Sequence, residues 1–234
     1  MPQLTPDALA ARILYRDALM LVIDKPAGLP VHPGHGGGET LEDHLDDLRL
    51  GLPARPQIVH RLDRDTSGCL ALGRHPKALR KLNDLFASRR VTKIYHAWLE
   101  GIPDDQNGVI DCPVAPLDPQ APWRVTADPK GTRPGSREAQ TRWQVLEKRD
   151  SRALVELRPV TGRTHQLRVH CAHAGWPICG DSLHGNAPHG GQLLLHARAL
   201  VVPLYPKRAP IRVEAPLPAH FPPPAHSPNA PKLC

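Results

Sequence analysis

Apolar side chains recur along the chain at two different spacings, and each spacing predicts its own type of element. Helical spacing, at intervals of three and four residues, covers residues 39–48, where Thr40 is a candidate cap, and residues 76–89. Alternating apolar and aromatic segments predict short strands instead. In chain order these strands lie at 13–24 (two strands about a turn), 93–99, 139–147, 152–158, 193–197 and 199–203.

Proline and glycine interrupt these elements often, with 28 and 18 residues respectively. Their density predicts a shaped loop at 24–34 and a loop-rich stretch at 101–137. A composition with so many turn residues and few aromatics favours short strands over a helical bundle. From residue 217 the sequence is too rich in proline to order itself, so we expect a catalytic domain over 1–216 and a mobile tail over 217–234.

The charge balance suits a polyanionic partner. Lysine and arginine number 30 against 23 acidic residues, a formal net charge of +7. Nucleic acid is the commonest partner of such a protein. An acidic run at 42–47 is expected to be a solvated face that points away from it.

Several other classes of protein are disfavoured. The five cysteines form no CxxC pair, which fits free thiols in a reducing cytosol. Neither a signal peptide nor an apolar run near the ~20 residues of a membrane span is present, so we expect a soluble cytoplasmic protein. No phosphate-binding loop, dinucleotide loop or nucleophile elbow occurs. His165 and His170 lie five apart without further ligands nearby, so no metal site is predicted.

The densest chemistry lies in residues 60–68, which read HRLDRDTSG. Two carboxylates, Asp63 and Asp65, are flanked by Arg61 and Arg64. A carboxylate beside guanidinium groups is favoured in its ionised form, which suits a nucleophile or a base. The residue types alone favour the plainer interpretation, a salt-bridged turn at the mouth of a buried strand. A second dense segment, TGRTHQLRVH at 161–170, is predicted to begin as a turn and continue as a helix to Gly175.

These segments resemble, in order, the motifs of RluA-type RNA pseudouridine synthases. HRLDRDTSG resembles the central motif of that family. The other matches are DKPAGLPVHPG at 24–34, KIYHAWLEG at 93–101, TGRTHQLRVH at 161–170 with GWPICGD at 175–181, and LLLHA at 193–197. Together they cover about residues 14–216.

The resemblance implies an α+β fold with a mixed, mainly antiparallel, bifurcated sheet, flanking helices and a central cleft. It implies an isomerase that converts selected uridines of ribosomal or transfer RNA to pseudouridine, with Asp63, Tyr95 and Arg168 as catalytic residues. Arg168 is the residue expected to pair with the catalytic Asp63. RNA contacts are expected from six basic residues of these motifs, namely Lys25, His60, Arg61, Arg64, Arg163 and His165.

The implied reaction breaks the bond from uracil nitrogen to ribose and remakes it at carbon 5. An ionised carboxylate can attack the sugar or the base, or remove a sugar proton, and the sequence leaves these routes open. The target base must be flipped out of its stack, and stacking on Tyr95 would offset part of that cost. No redox step is involved, so no cofactor is expected, and the partner is an RNA stem-loop bound by a monomer.

The sequence departs from the family at three places. The first motif begins at about residue 21, so we expect no N-terminal S4 RNA-binding module. Cys179 and His184 stand where the family usually has an aliphatic residue and a tyrosine, which we interpret as packing variation.

Two alternatives stay open: a catalytically silent RNA-binding protein on this fold, and an unrelated basic hydrolase or nuclease, which would require a divalent metal.

Overall fold

The computed structural model describes residues 4–34, 37–118, 120–188 and 190–222. It divides the chain into two compact units. The first unit comprises residues 1–93 and 196–216, and the second comprises residues 94–195 and 217–234. The stretch predicted as one catalytic domain therefore contributes to both units.

Short strands with a few helices make up both units. The helices are α1 (Pro6–Ala10), a 3-10 helix (Leu41–Leu48), α2 (Pro76–Ala87) and α3 (Gln166–His173). The strands are β1 (Ile13–Arg16), β2 (Met20–Lys25), β3 (Gln57–Ile58), β4 (Ser67–Gly73), β5 (Thr92–Glu100), β6 (Asn107–Asp111), β7 (Val114–Asp118), β8 (Ala121–Ala127), β9 (Gln140–Arg149), β10 (Arg152–Pro159), β11 (Leu195–Val202) and β12 (Ile211–Glu214).

The sheet of the first unit is built around the buried strand β4. Strands β1, β2, β4 and β11 follow one another, with β3 paired to β4 and β12 paired to β11. β4 and β11 run parallel, and the other pairs are antiparallel. Helix α2 places Ala78, Leu82 and Leu85 in the interior. Leu82 and Leu85 join a core with β2, β4 and β11. Removing such side chains from water is the main favourable term in folding.

The second unit has its own antiparallel sheet, in the order β5, β10, β9, β6. Beside it, β7 and β8 form a separate hairpin. Val169 of α3 packs with Val114, Val125 and Ala139, so the hairpin holds one face of this helix. The helix that carries Arg168 therefore rests on a packed support.

The predicted fold class is confirmed, because both units combine a mainly antiparallel sheet with few helices. Some elements differ from the prediction. Residues 41–48 form a 3-10 helix with Thr40 in a capping box, and the two late strands predicted at 193–203 are the single strand β11. β12 was not predicted.

The predicted start of the tail at residue 217 is wrong. Phe221 is 3% exposed and packs with Trp98, Leu154 and Cys179 of the second unit. The indole N–H of Trp98 donates to the carbonyl of Pro222 over 3.1 Å. One large aromatic residue therefore anchors residues 217–222 despite their proline content, and the rest of the predicted tail, 223–234, lies outside the described residues.

In the part of the chain that the structure describes, every helix is too short or too polar to span a membrane.

Candidate active site

The segment 60–68 links β3 to β4 in the first unit, and contacts to β11 fix its end. Ser67 and His196 are both buried, and their side chains share a hydrogen bond of 2.8 Å between Oγ and Nδ1. Gly68 has φ +108°, and a Cβ there would lie 2.3 Å from the carbonyl oxygen of Ala197. Only glycine allows the parallel strands to approach this closely.

Asp63 lies at a turn of this segment. The N–H of Thr66 donates to the backbone carbonyl of Asp63 over 3.1 Å. Leu62 and Thr66, which flank the turn, are buried, whereas Asp63 itself is partly exposed. The apolar and hydroxyl neighbours therefore anchor the turn while leaving part of the carboxylate residue open to solvent.

Lys25 has no exposed surface and holds two loops together. Its ammonium donates to the carbonyls of Pro26, Leu29 and Arg64 over 2.8, 2.8 and 3.0 Å. Burial lowers the pKa of Lys25 to about 7, against the opposing influence of Asp65, Asp63 and Asp24. All three protons of the ammonium are donated inside the first unit, so Lys25 supports the two loops, and its RNA contact stays a prediction.

His60 is also bound inside the first unit. Its Nε2 accepts the N–H of Ala71 over 2.9 Å, and its ring stacks on Phe86 at 4.5 Å between centroids. Burial, and then the charge of Lys93, lower the pKa of His60 to about 3. The ring is therefore neutral at physiological pH and supports β4 and α2.

Two arginines of the segment are exposed. The Nε of Arg64 donates to the carbonyl of Gly28 over 3.1 Å, while the N–H of Gly28 donates back to the carbonyl of Arg64 over 2.8 Å. Arg61 is exposed to solvent. Both guanidinium groups can thus reach an anionic partner, as their prediction as RNA contacts requires.

In the second unit, Tyr95 lies on β5 opposite Leu157 of β10, and it is 9% exposed. Its position in the strand fixes the face of the sheet on which the side chain lies. A largely buried tyrosine has little conformational freedom left to lose, which suits it to stacking on a base.

A glutamine organises the turn before α3. The buried Gln166 accepts the hydroxyl of Thr161 at 2.6 Å and the N–H of Arg163 at 3.0 Å. Its amide donates to the carbonyl of Gln140 and the hydroxyl of Thr141, each over 3.0 Å. Every polar atom of this amide is used, so the turn is tightly specified.

His165 and Arg163 border this turn. His165 has a left-handed backbone, with φ 48°, at the start of α3, and its Nδ1 lies 3.0 Å from Nε2 of His184. The Nε of Arg163 donates to the carbonyl of Glu138 over 3.0 Å. His170 packs between Thr141 and Cys112 through both ring nitrogens, as a core histidine does.

Arg168 is 4% exposed and forms a two-bond ion pair with Asp181. Nε donates to Oδ2 over 2.8 Å and Nη2 donates to Oδ1 over 2.7 Å. Asp181 was not predicted as a site residue, although it ends the quoted segment GWPICGD. The sequence offered only the acidic residue type as a sign of this role. The pairing itself could not be predicted, because its two residues lie thirteen positions apart.

The structure thus places the predicted site residues in two groups, each within one unit. The first unit holds Lys25, His60, Arg61, Asp63 and Arg64, and the second holds Tyr95, Arg163, His165 and Arg168. Cys179, one of the departures from the family pattern, is buried beside Trp98 and Phe221, and burial raises the pKa of its thiol to about 11. This agrees with packing variation at that position.

Comparisons with known proteins agree on one family. A sequence model described as RNA pseudouridylate synthase matches residues 19–173. An uncharacterized RNA pseudouridine synthase of Zymomonas mobilis is 47% identical over 217 residues, covering 91% of this chain and 96% of that protein. The ribosomal large subunit pseudouridine synthase C of Vibrio cholerae is 34% identical, covering 89% of this chain and 66% of that protein.

Solved structures give the same result. The human RNA pseudouridylate synthase domain containing 4 matches with a TM-score of 0.80 and 29% identity, and the match covers 92% of each chain. The human RNA pseudouridylate synthase domain containing 1 matches with a TM-score of 0.75 and 28% identity, over 93% of this chain and 87% of that one.

Proposed function

The chain belongs to the RNA pseudouridylate synthase family, and from this premise we propose that it isomerises selected uridines of ribosomal or transfer RNA to pseudouridine. Such an enzyme is an isomerase whose reaction needs no net oxidation or added group. The observation that carries the proposal is the turn that presents Asp63. Its neighbours Leu62 and Thr66 are buried, while Asp63 remains partly exposed.

We assign Asp63 the role of the essential carboxylate. Every route to pseudouridine from a carboxylate begins with an ionised oxygen, acting either as a nucleophile or as a base. The anchored segment is consistent with this role, because a carboxylate on a rigid support is held close to its reactive geometry.

Tyr95 and Arg168 are the other two proposed catalytic residues. A base removed from its stack loses a few kcal/mol, and stacking on an aromatic ring returns about 1–3 kcal/mol. The aromatic ring of Tyr95, on the largely buried strand β5, suits this role. Arg168 is buried and held by one edge, so its guanidinium can offer a fixed positive charge to the reacting group.

Flipping requires that the surrounding RNA be held. We propose phosphate contacts from the exposed Arg61 and Arg64 of the first unit, and polar contacts from Arg163 and His165 of the second. His60, which is partly exposed as a residue, stays a candidate contact. These contacts would make RNA binding weaken as salt concentration rises.

The substrate proposal rests on two supports. Relatives carry the name ribosomal large subunit pseudouridine synthase, in Vibrio cholerae as C and in Xanthomonas campestris as D. The net charge of +7 suits a polyanion. We propose a monomer that acts in the cytoplasm on a stem-loop of ribosomal RNA, with transfer RNA as the second candidate.

Pseudouridine mapping tests this proposal. Total RNA from cells with and without the protein is treated with carbodiimide and read by primer extension across ribosomal and transfer RNA. A site lost on deletion and restored by the wild-type protein, but not by Asp63→Ala, identifies both activity and substrate. No change at any site would favour the silent RNA-binding alternative.

A further inference from the structure

A deeply buried ion pair joins Arg168 to Asp181. The side chain of Arg168 is 4% exposed and that of Asp181 is 1% exposed. The pair uses Nε and Nη2, which form one edge of the planar guanidinium. A two-bond pair of this kind fixes the orientation of the whole group, which a single contact does not.

Asp181 has further partners that fix the carboxylate itself. Its Oδ1 accepts the N–H groups of Leu183 and His184 over 2.9 and 3.0 Å. Burial alone would raise the pKa of Asp181, but the hydrogen bonds and charge of Arg168 and these two N–H groups hold it below the usual range. The carboxylate is therefore ionised and has four donors.

The same turn reaches the start of α3 by a second route. The backbone N–H of His184 donates to Asp181, and the Nε2 atom of its ring lies 3.0 Å from Nδ1 of His165. His165 begins the helix that carries Arg168. The turn at 181–184 is thus attached to α3 at two points, by an ion pair and by a histidine pair.

We propose that Asp181 is a positioning residue for the isomerisation: it holds Arg168 by one edge, so that the opposite edge keeps a single orientation during the reaction. This inference rests on the proposed function, in which Arg168 is catalytic. His184, which is unlike the usual family residue at that position, reinforces the arrangement by linking the turn to His165.

If the pair between Arg168 and Asp181 had only a structural role, the expected result would differ. Loss of a structural pair would lower the stability of the fold without a specific effect on the chemical step. A positioning residue acts on kcat through its partner, so its effect must vanish when the partner can no longer be held.

The test is a double-variant cycle in which tritium is released from large-subunit ribosomal RNA transcribed in vitro with [5-³H]uridine. We expect Asp181→Asn to lower kcat roughly 10- to 100-fold with KM within about 3-fold. In an Arg168→Lys background the same substitution should cost less than about 3-fold, because lysine has no planar fork for the carboxylate to hold. Glu147→Gln, which breaks an ion pair with Arg149 in the same unit, is the matched control and should keep full activity.

Melting temperatures of all variants separate folding from chemistry. If Asp181→Asn does not fold, kcat is measured instead for Asp181→Glu, which shifts the carboxylate by one methylene. A lower kcat in this folded variant supports the proposal. Full kcat in either folded variant overturns it, as does an equal loss in the wild-type and Arg168→Lys backgrounds. A wild-type protein that releases no tritium from ribosomal or transfer RNA would instead contradict the proposed function.

Discussion

The ammonium of Lys25 donates to the backbone carbonyl of Arg64 over 3.0 Å, which ties the loop after β2 to the segment that carries Asp63. Two further carbonyls, of Pro26 and Leu29, complete its coordination. A fully buried lysine therefore holds together the loop after β2 and the segment that carries Asp63. This arrangement places a titratable group within the framework of the site.

Replacing this lysine should lower the stability of the fold. Lys25→Met keeps the length of the side chain but leaves the carbonyls of Pro26 and Leu29 without their donor, and each unsatisfied group costs about 1–3 kcal/mol. We expect the free energy of unfolding at pH 8 to fall by about 2 kcal/mol or more in urea denaturation. Lys77→Met, on the exposed face of α2, is the control and should change it by less than about 0.5 kcal/mol. Equal values for the two variants would contradict the account.

The same residue predicts a pH dependence of stability. The folded protein releases the proton of Lys25 near pH 7, whereas the unfolded chain holds it up to about 10.5. Between these values the unfolded state binds more protons, so the contribution of Lys25 to the free energy of unfolding rises with pH, by up to about 1.4 kcal/mol per unit. Below pH 7 this contribution is flat.

Urea denaturation of the wild-type protein and Lys25→Met from pH 6 to 9.5 measures this contribution as a difference. The difference should be constant below pH 7 and shift in favour of the wild type above it. A difference independent of pH would show that the ammonium keeps an ordinary pKa in the folded protein.

The contact between Gly68 and Ala197 predicts a severe effect of a single methyl group. Gly68→Ala would place Cβ 2.3 Å from a backbone oxygen and strain a backbone with φ +108°. We expect a loss of about 4 kcal/mol or more, measured by thermal or urea unfolding. Gly51→Ala is the matched control: its φ is +87° but nothing lies within 4 Å, so only the backbone strain of about 1–2 kcal/mol should be observed. Similar losses at both positions would rule out the close approach of β4 and β11.

Two variants of Tyr95 distinguish a role of its ring in stacking from a role of its hydroxyl group. Tyr95→Phe keeps the ring and should retain activity within about 10-fold, whereas Tyr95→Ala removes a stacking energy of about 1–3 kcal/mol as well as packing in β5. We expect at least a 100-fold loss of kcat/KM for alanine in the tritium-release assay. A phenylalanine variant as inactive as the alanine variant would assign the main role to the hydroxyl.

The sequence predicted the elements whose signal is local. Residues 76–89 combine a wide apolar stripe with proline at the first helical position, and α2 forms there. Residues 41–48 show why helix type is harder to predict, because leucines at 41, 45 and 48 suit both an α-helix and a 3-10 helix. β12 was missed because it is only four residues long and lies between prolines.

The roles that the sequence could not predict all depend on tertiary contacts. Lys25 has the residue type of an RNA contact, and only the three carbonyls around it show that it is a buried support. Asp181 became important through a partner thirteen residues earlier. Phe221 orders a proline-rich segment because Trp98 and Leu154 receive it, and no local pattern could indicate that pocket.

The central claim is that Asp63 carries the reaction. Asp63→Asn removes the charge with little change in shape, and Asp65→Asn makes the same change two residues further on, at an exposed position. Tritium release from [5-³H]uridine-labelled RNA, together with filter binding of the same RNA, compares both variants with the wild-type protein. The account predicts no turnover but near-normal RNA binding for Asp63→Asn, and full turnover for Asp65→Asn. Normal turnover by Asp63→Asn would contradict it.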